Sequence, residues 1–286
     1  MTDDDRRTRL PDTGSPDGRK PVADRWPGFR TWFRPVSSGA GPSRIRLFCF
    51  PHAGGSASAF SSWRAGVPDG LEIHAAQLPG RESRIMEPPI SALDELVDQL
   101  TTALEPAIET GERFALFGHS AGALVAWELA RSVRGRFGIG PVHLFVSACQ
   151  SPSNVRAGYD DLHGLDDADL LARLGKMNGI PAEAMANPEL MRMVLPVIQA
   201  DFSLLAGYDA ALDAAPAGVL DCPVTALGGD RDPVVAPGAL TRWAEVTTAE
   251  LDVRVLPGDH FYLTDPRSDV LGVIGARLAL TTSGNV

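Results

Sequence analysis

The run Phe114-Ala115-Leu116-Phe117-Gly118-His119-Ser120-Ala121-Gly122-Ala123-Leu124-Val125-Ala126-Trp127 constrains this chain more than any other stretch. Apolar residues lead into a G-x-S-x-G, and an apolar-periodic helix pattern leaves it. A buried strand, a sharp turn and a helix are the setting in which a serine is presented as a nucleophile. Glycines flank Ser120 because a strained turn leaves no room for side chains there. The hydroxyl then stands at the end of the sheet, above the free N–H groups and positive dipole end of the next helix, which favour a developing oxyanion. The pattern by itself is weak, since it arises by chance in roughly one sequence of this Gly and Ser content in five. A Gly-rich turn in a non-catalytic domain looks the same. The rest of the chain has to decide.

A length of 286 residues suits one large domain with a sizeable core or two small ones. Hydrophobic content of 44% and charged content of 22% are those of a soluble globular protein. No apolar run approaches a membrane span and the first residues carry no apolar signal-peptide core, so a cytosolic protein without membrane association is expected. The net charge of −10, with no basic stripe, argues against nucleic acid as a partner. Cys49, Cys149 and Cys222 each lie in or beside an apolar strand-like run. Their number and spacing suit neither disulfides nor a metal site, so buried reduced thiols are expected.

Residues 1–25 are charged, rich in Pro, Gly and Asp, and nearly free of large apolar side chains, which predicts a disordered tail before a domain over 26–286. Trp32–Val36 reads as a first short strand and Ile45–Phe50 as a second. The second ends in Pro51-His52-Ala53-Gly54-Gly55-Ser56, a Gly-rich loop whose main chain can approach a reacting carbonyl. The N–H groups of Ala53 and Ala121 are the candidate oxyanion donors. A phosphate-cradling loop is disfavoured, because neither G-K-[ST] nor G-x-G-x-x-G is present. His52 is expected to shape this loop through a hydrogen bond rather than to act as a base.

Leu71–Leu78 gives another strand, followed by Pro79-Gly80-Arg81-Glu82-Ser83-Arg84. Arg81 and Arg84 lie just past a strand's C-terminal end, the rim where ligands are met, and are candidates for substrate or partner binding as well as plain solvated arginines. Residues 91–110 form an amphipathic helix with Leu93, Leu96, Val97 and Leu100 on one face. The strand before Ser120, the helix after it and a strand over Val142–Ala148 continue an alternation that predicts an α/β, mostly parallel, doubly wound sheet. Between about 150 and 215 no strand is legible. Apolar segments around Leu170–Leu174 and Met191–Ile198 predict a helical lid, with Pro196 kinking or restarting a helix. Met177, Met185, Met191 and Met193 are expected mostly as core fillers, although Met-rich surface also suits acyl chains.

The sheet resumes at Cys222–Leu227 and ends in Gly228-Gly229-Asp230-Arg231-Asp232-Pro233. Two carboxylates thus sit past a strand end; Asp232 is the candidate acid and Asp230 the reserve. A last strand, Val253–Leu256, leads to Pro257-Gly258-Asp259-His260 on a loop able to reach back over Ser120. The order Ser120, Asp232, His260, each after its own strand, is the one α/β-hydrolases show. Serine needs a neighbouring base, histidine ordinarily titrates near neutrality, and an aspartate fixes its tautomer and stabilises the imidazolium. The three together predict a serine hydrolase or acyltransferase.

These motifs also carry a resemblance. Pro51-His52-Ala53-Gly54-Gly55, Gln77-Leu78-Pro79-Gly80-Arg81, Gly118-His119-Ser120-Ala121-Gly122, Gly229-Asp230-Arg231-Asp232-Pro233 and Asp259-His260-Phe261-Tyr262-Leu263 resemble the standalone type II thioesterases of polyketide synthase and non-ribosomal peptide synthetase pathways. The likeness runs from about residue 32 to 280. Leu195-Pro196, Ala200-Asp201-Phe202 and Tyr208 resemble the end of that family's lid. The resemblance implies removal of stalled or mis-primed acyl groups from the phosphopantetheine arm of acyl or peptidyl carrier proteins. It makes Ser120 the nucleophile, Asp232 the acid and His260 the base. It implies no metal and no diffusible cofactor, and a monomer is expected. Ala121 stands where that family often has Met or Leu, and Leu78 where Tyr is frequent. Carrier proteins are usually acidic, as is this chain, so docking would need a local basic patch from Arg81 and Arg84 or from Arg131, Arg134 and Arg136. A small-molecule carboxylesterase, an acyltransferase or chain-releasing enzyme, and a non-catalytic interaction protein remain alternatives.

Overall fold

The computed structural model describes residues 27–41, 45–159, 165–176, 185–206, 208, 218–265 and 269–280. The tail predicted over 1–25 lies outside them, as do Met177 and residues 160–164, 178–184, 207 and 209–217 of the predicted lid. A short helix α1 (Pro27–Trp32) leads into strand β1 (Phe33–Ser38), then β2 (Ile45–Phe50) and β3 (Leu71–Ala76). Helix α2 (Leu93–Glu109), strand β4 (Arg113–His119), helix α3 (Ala121–Phe137) and strand β5 (Leu144–Ser147) follow. Helices α4 (Pro152–Tyr159), α5 (Asp167–Lys176) and α6 (Pro188–Ala206) precede β6 (Val224–Gly229), β7 (Leu251–Leu256) and the final helix α7 (Val270–Arg277).

The seven strands form one sheet in the order β1-β3-β2-β4-β5-β6-β7. Only β1 runs antiparallel, on β3; every other pairing is parallel. Parallel strands need crossovers, and helices on both faces then bury the strands completely. β2 shows the consequence: all six of its residues are buried. Its alternate side chains divide between two cores, Phe48 and Phe50 on one face, Ile45, Leu47 and Cys49 on the other. The first core holds Leu96, Leu100 and Leu104 of α2 and Leu124, Trp127 and Leu129 of α3. The second is closed by Phe60 and Trp63 of a 3₁₀ turn after β2 and by Val270 and Ile274 of α7.

Strand order reverses between β2 and β4, which pair directly with Phe50 opposite Gly118. Loops leaving adjacent strands diverge at such a switch point and open a crevice there. The Gly-rich loop after β2 and the Ser120 turn after β4 are those two loops.

Between 150 and 215 the described residues are helical or irregular, in keeping with the absence of a strand pattern. α6 runs as one helix through Pro196 and does not restart there. Its buried side chains Met191, Leu195, Ile198 and Phe202 belong to the first core, whereas Met193 is exposed. All three cysteines are buried and free. No helix among the described residues is long and apolar enough to cross a membrane.

Candidate active site

β4 ends at His119 and α3 begins at Ala121, which leaves Ser120 alone in the turn at φ 54° and ψ −123°. A non-glycine residue in this region is strained, and here crowding enforces it. A Cβ on Gly118 would meet the Gly122 carbonyl oxygen at 2.1 Å, and one on Gly122 would meet that of Phe50 at 2.2 Å. The Ser120 N–H donates to the Ser147 carbonyl at 2.8 Å, which ties the turn to β5.

Ser120 Oγ lies 3.1 Å from His260 Nε2. The other ring nitrogen of His260 faces Asp232, 2.9 Å from Oδ2 and 3.1 Å from Oδ1. The three side chains come from turns after β4, β6 and β7, and all are buried. Asp232 Oδ1 also accepts the N–H groups of Val234 and Val235 at 2.8 and 3.1 Å, so its own turn orients the carboxylate. The reserve, Asp230, points elsewhere. It accepts the Gly258 N–H at 2.7 Å and so fixes the loop that carries His260. On its far side that loop is held by Tyr262, whose hydroxyl is 2.5 Å from Ser147 Oγ, itself 2.8 Å from His119 Nδ1.

Opposite this face stands the loop after β2. Gly54 N–H is committed to Asp201 at 2.7 Å and Gly55 N–H to the His52 carbonyl at 2.8 Å. The Ala53 N–H has no acceptor among the described residues. Ala121 is the first residue of α3, where N–H groups have no intrahelical partner. The two N–H groups selected from the sequence are therefore both uncommitted at the switch point.

His52 shapes its loop through a hydrogen bond, as expected. The bond that closes its loop is made by its backbone carbonyl, while its ring packs edge-on against Phe261 at 5.0 Å and His119 at 6.0 Å. Burial first, then the neighbouring His260 and Arg81, lowers its pKa to about 4. His119 is likewise held well below the usual histidine range, by burial and then by His260 and His52. Both rings are neutral at neutral pH and place no cation beside Ser120.

The arginines read as a binding patch are otherwise engaged, because each found a closer anionic or carbonyl partner. Arg81 is buried in a bidentate pair with Asp201 at 2.7 and 2.9 Å. Arg84 is buried over the Trp32 ring at 4.1 Å and donates to Glu87 and to the Gln77 carbonyl. Neither guanidinium is presented to a ligand. Arg131 pairs with Glu128 at 2.9 Å, while Arg134 and Arg136 stand 3.5 Å from Asp221 and Glu105. Of the arginines expected for docking, Arg81 and Arg84 are buried, while Arg134 and Arg136 keep 29% and 43% of their side chains exposed. Asp201, in turn, entered the sequence reading only as part of a lid motif. Its signal was an acid on the apolar-patterned face of a helix, flanked by Ala200 and Phe202.

A buried serine, histidine and aspartate in line can deprotonate the serine as it attacks a carbonyl and return the proton to the leaving group. Among the described residues no cluster of three or more His, Cys, Asp or Glu side chains could hold a metal ion.

The thioesterase domain family matches residues 45–278. The chain is 36% identical over 244 residues to gramicidin S biosynthesis protein GrsT of Aneurinibacillus migulanus, covering 85% of this chain and 93% of that protein. It is 37% identical over 239 residues to thioesterase PikA5 of Streptomyces venezuelae, covering 84% and 83%. The solved type II thioesterase BorB from the borrelidin biosynthetic cluster superposes with a TM-score of 0.70 at 34% identity, over 87% of this chain and 98% of that one.

Proposed function

Because the chain belongs to the thioesterase domain family, we propose that it is a type II thioesterase that hydrolyses acyl groups from the phosphopantetheine arm of carrier proteins, clearing stalled or mis-primed units in polyketide or non-ribosomal peptide biosynthesis. The observation that carries this reading is the hydrogen-bonded line from Ser120 Oγ through His260 to Asp232 in a chain of that family.

In the mechanism, His260 Nε2 takes the Ser120 proton as Oγ attacks the thioester carbonyl. The carbonyl oxygen becomes an oxyanion held by the Ala53 and Ala121 N–H groups, with the positive end of α3 beneath it. Asp232 keeps the His260 tautomer and stabilises the imidazolium. The intermediate collapses, the C–S bond breaks and the imidazolium proton goes to the leaving sulfur. Water then donates a proton to His260 and attacks the acyl-enzyme; Ser120 leaves with that proton and the free acid departs. No step draws on a metal or a diffusible cofactor. The helices between β5 and β6 are assigned as the lid over this site.

The test is hydrolysis of one short acyl group presented on a phosphopantetheinylated carrier protein, on N-acetylcysteamine and as an oxygen ester. Faster release from the carrier, abolished in Ser120→Ala, is the expected result. Equal or better turnover of the oxygen ester with no carrier preference overturns the reading in favour of a general esterase. Transfer of the acyl group to an acceptor other than water overturns it in favour of a chain-releasing enzyme.

A further inference from the structure

Arg81, on the turn after β3, and Asp201, on α6, are 120 residues apart in sequence and meet as a bidentate ion pair. Both side chains are withdrawn from water, at 7% and 5% exposure. Burying a pair costs so much desolvation that it adds little net stability over an apolar contact of the same shape. What it can supply is geometry, and here one further bond from each partner reaches the same Gly54-Gly55 loop.

Asp201 Oδ2 accepts the Gly54 N–H at 2.7 Å. Arg81 Nη1 donates to the Gly55 carbonyl at 2.9 Å, and its Nε donates to the Pro79 carbonyl at 3.2 Å. Gly54 sits at φ 76°, and a Cβ on it would meet Ile198 of α6 at 2.7 Å. The loop is therefore pressed against the helix that grips it. With the Gly55 N–H closed onto the His52 carbonyl, both peptide units after Ala53 are anchored.

We infer that Arg81 and Asp201 are positioning residues for the oxyanion hole: they lock the loop that carries the Ala53 N–H to helix α6, so that the donor is set by the seating of that helix. This rests on the assignment of Ala53 as an oxyanion donor in the proposed mechanism. A donor held in place before the reaction gains its effect from not having to reorganise as charge develops. Loosening the loop leaves substrate binding to the rest of the site and weakens the interaction that forms only in the transition state, which appears in kcat.

The experiment compares wild type with Asp201→Asn, which keeps the shape and removes the charge, and with Arg81→Lys, which keeps the charge and removes the planar fork. The substrate is butyryl-N-acetylcysteamine. Active sites are titrated to completion with a fluorophosphonate, and melting temperatures are recorded for each protein. The expected result is a kcat per titrated site lowered about 10- to 100-fold, with KM within about twofold. The affinity of a boronic acid, whose serine adduct carries the negative charge, should fall in parallel with kcat/KM. Unchanged kcat per titrated site alongside a lowered melting temperature would make the pair merely structural and overturn the inference. A loss confined to KM would overturn it too. Should Asp201→Asn fail to fold, Arg81→Lys is read by the same criteria. A wild-type protein inactive on this thioester would instead sink the reading of the site, a result distinct from an active wild type matched by its variants.

Discussion

Asp232 Oδ2 lies 2.9 Å from His260 Nδ1, while Asp230, two residues earlier on the same turn, accepts the Gly258 N–H at 2.7 Å. The two carboxylates have divided the work, one orienting the imidazole and the other holding the loop that delivers it. Asp232→Asn should lower kcat by about 10⁴-fold, since the wrong tautomer of His260 is then favoured. Asp230→Asn should cost about 1 kcal/mol of stability and leave kcat within the same order of magnitude. Steady-state kinetics on a thioester beside urea denaturation separates the two; a larger kcat loss in Asp230→Asn reverses the assignment.

The nucleophile turn tolerates no added carbon. Gly122→Ala puts a methyl 2.2 Å from the Phe50 carbonyl oxygen and 2.5 Å from that of Pro51, both rigid backbone. Strain of that kind belongs among the severe substitutions, about 4 kcal/mol or more. Fluorophosphonate labelling of the variant should be lost even in the fraction that remains folded. Labelling at the wild-type rate would show that the turn can relax.

Buried neutral histidines give the fold an acid-sensitive window. His52 and His143 have their pKa lowered from 6.5 to about 4, in both cases by burial first, and His119 is lowered as well. The unfolded chain binds these protons at higher pH than the folded one, so their contribution is complete above about pH 6.5 and is lost as pH falls toward 4. Glu72 continues the loss below its ordinary value. Burial pushes its carboxyl up, but His74 and Arg46 outweigh that and hold it at about 2. Urea midpoints should be flat above neutrality and fall steadily below about pH 6.5. His143→Gln should flatten the upper part of that slope; no change in slope would remove His143 from the account.

The thiols are closed to chemistry. Burial raises Cys149 and Cys222 to about 12 and Cys49 well above its usual value. Nucleophilic attack needs the thiolate. Iodoacetamide at pH 8 should label none of the three in the native protein, leave turnover unchanged, and label all three in urea. Native labelling with loss of activity would refute this.

Tyr262 anchors the catalytic loop through Ser147 and His119. Tyr262→Phe removes the hydroxyl and leaves buried Ser147 with one partner fewer, at a cost of about 1–3 kcal/mol. A midpoint shift of that size in urea supports the anchor. An unshifted midpoint would mean that the chain of hydroxyls carries no stability.

The strand, turn and helix around Ser120 were legible because their signals are local. Apolar run, paired glycines and helical period all lie within fourteen consecutive residues, and the crowding that demands Gly118 comes from the turn itself, whereas that at Gly122 comes from Phe50 and Pro51 after β2. The order of Ser120, Asp232 and His260 was readable for a similar reason, as each follows its own strand. What local pattern could not decide is which partner a side chain takes when several elements converge. Arg81 at a strand end looks like a ligand contact until α6 brings Asp201 against it. Arg84 looks solvated until Trp32 and Glu87 close over it. Asp230 and Asp232 share a turn, and only the approach of the β7 loop sends one to His260 and the other to Gly258. The sequence determined the chemistry at the sheet's edge and the family; the tertiary structure chose the partners, because pairing of charges depends on distances of a few ångströms between residues far apart in the chain.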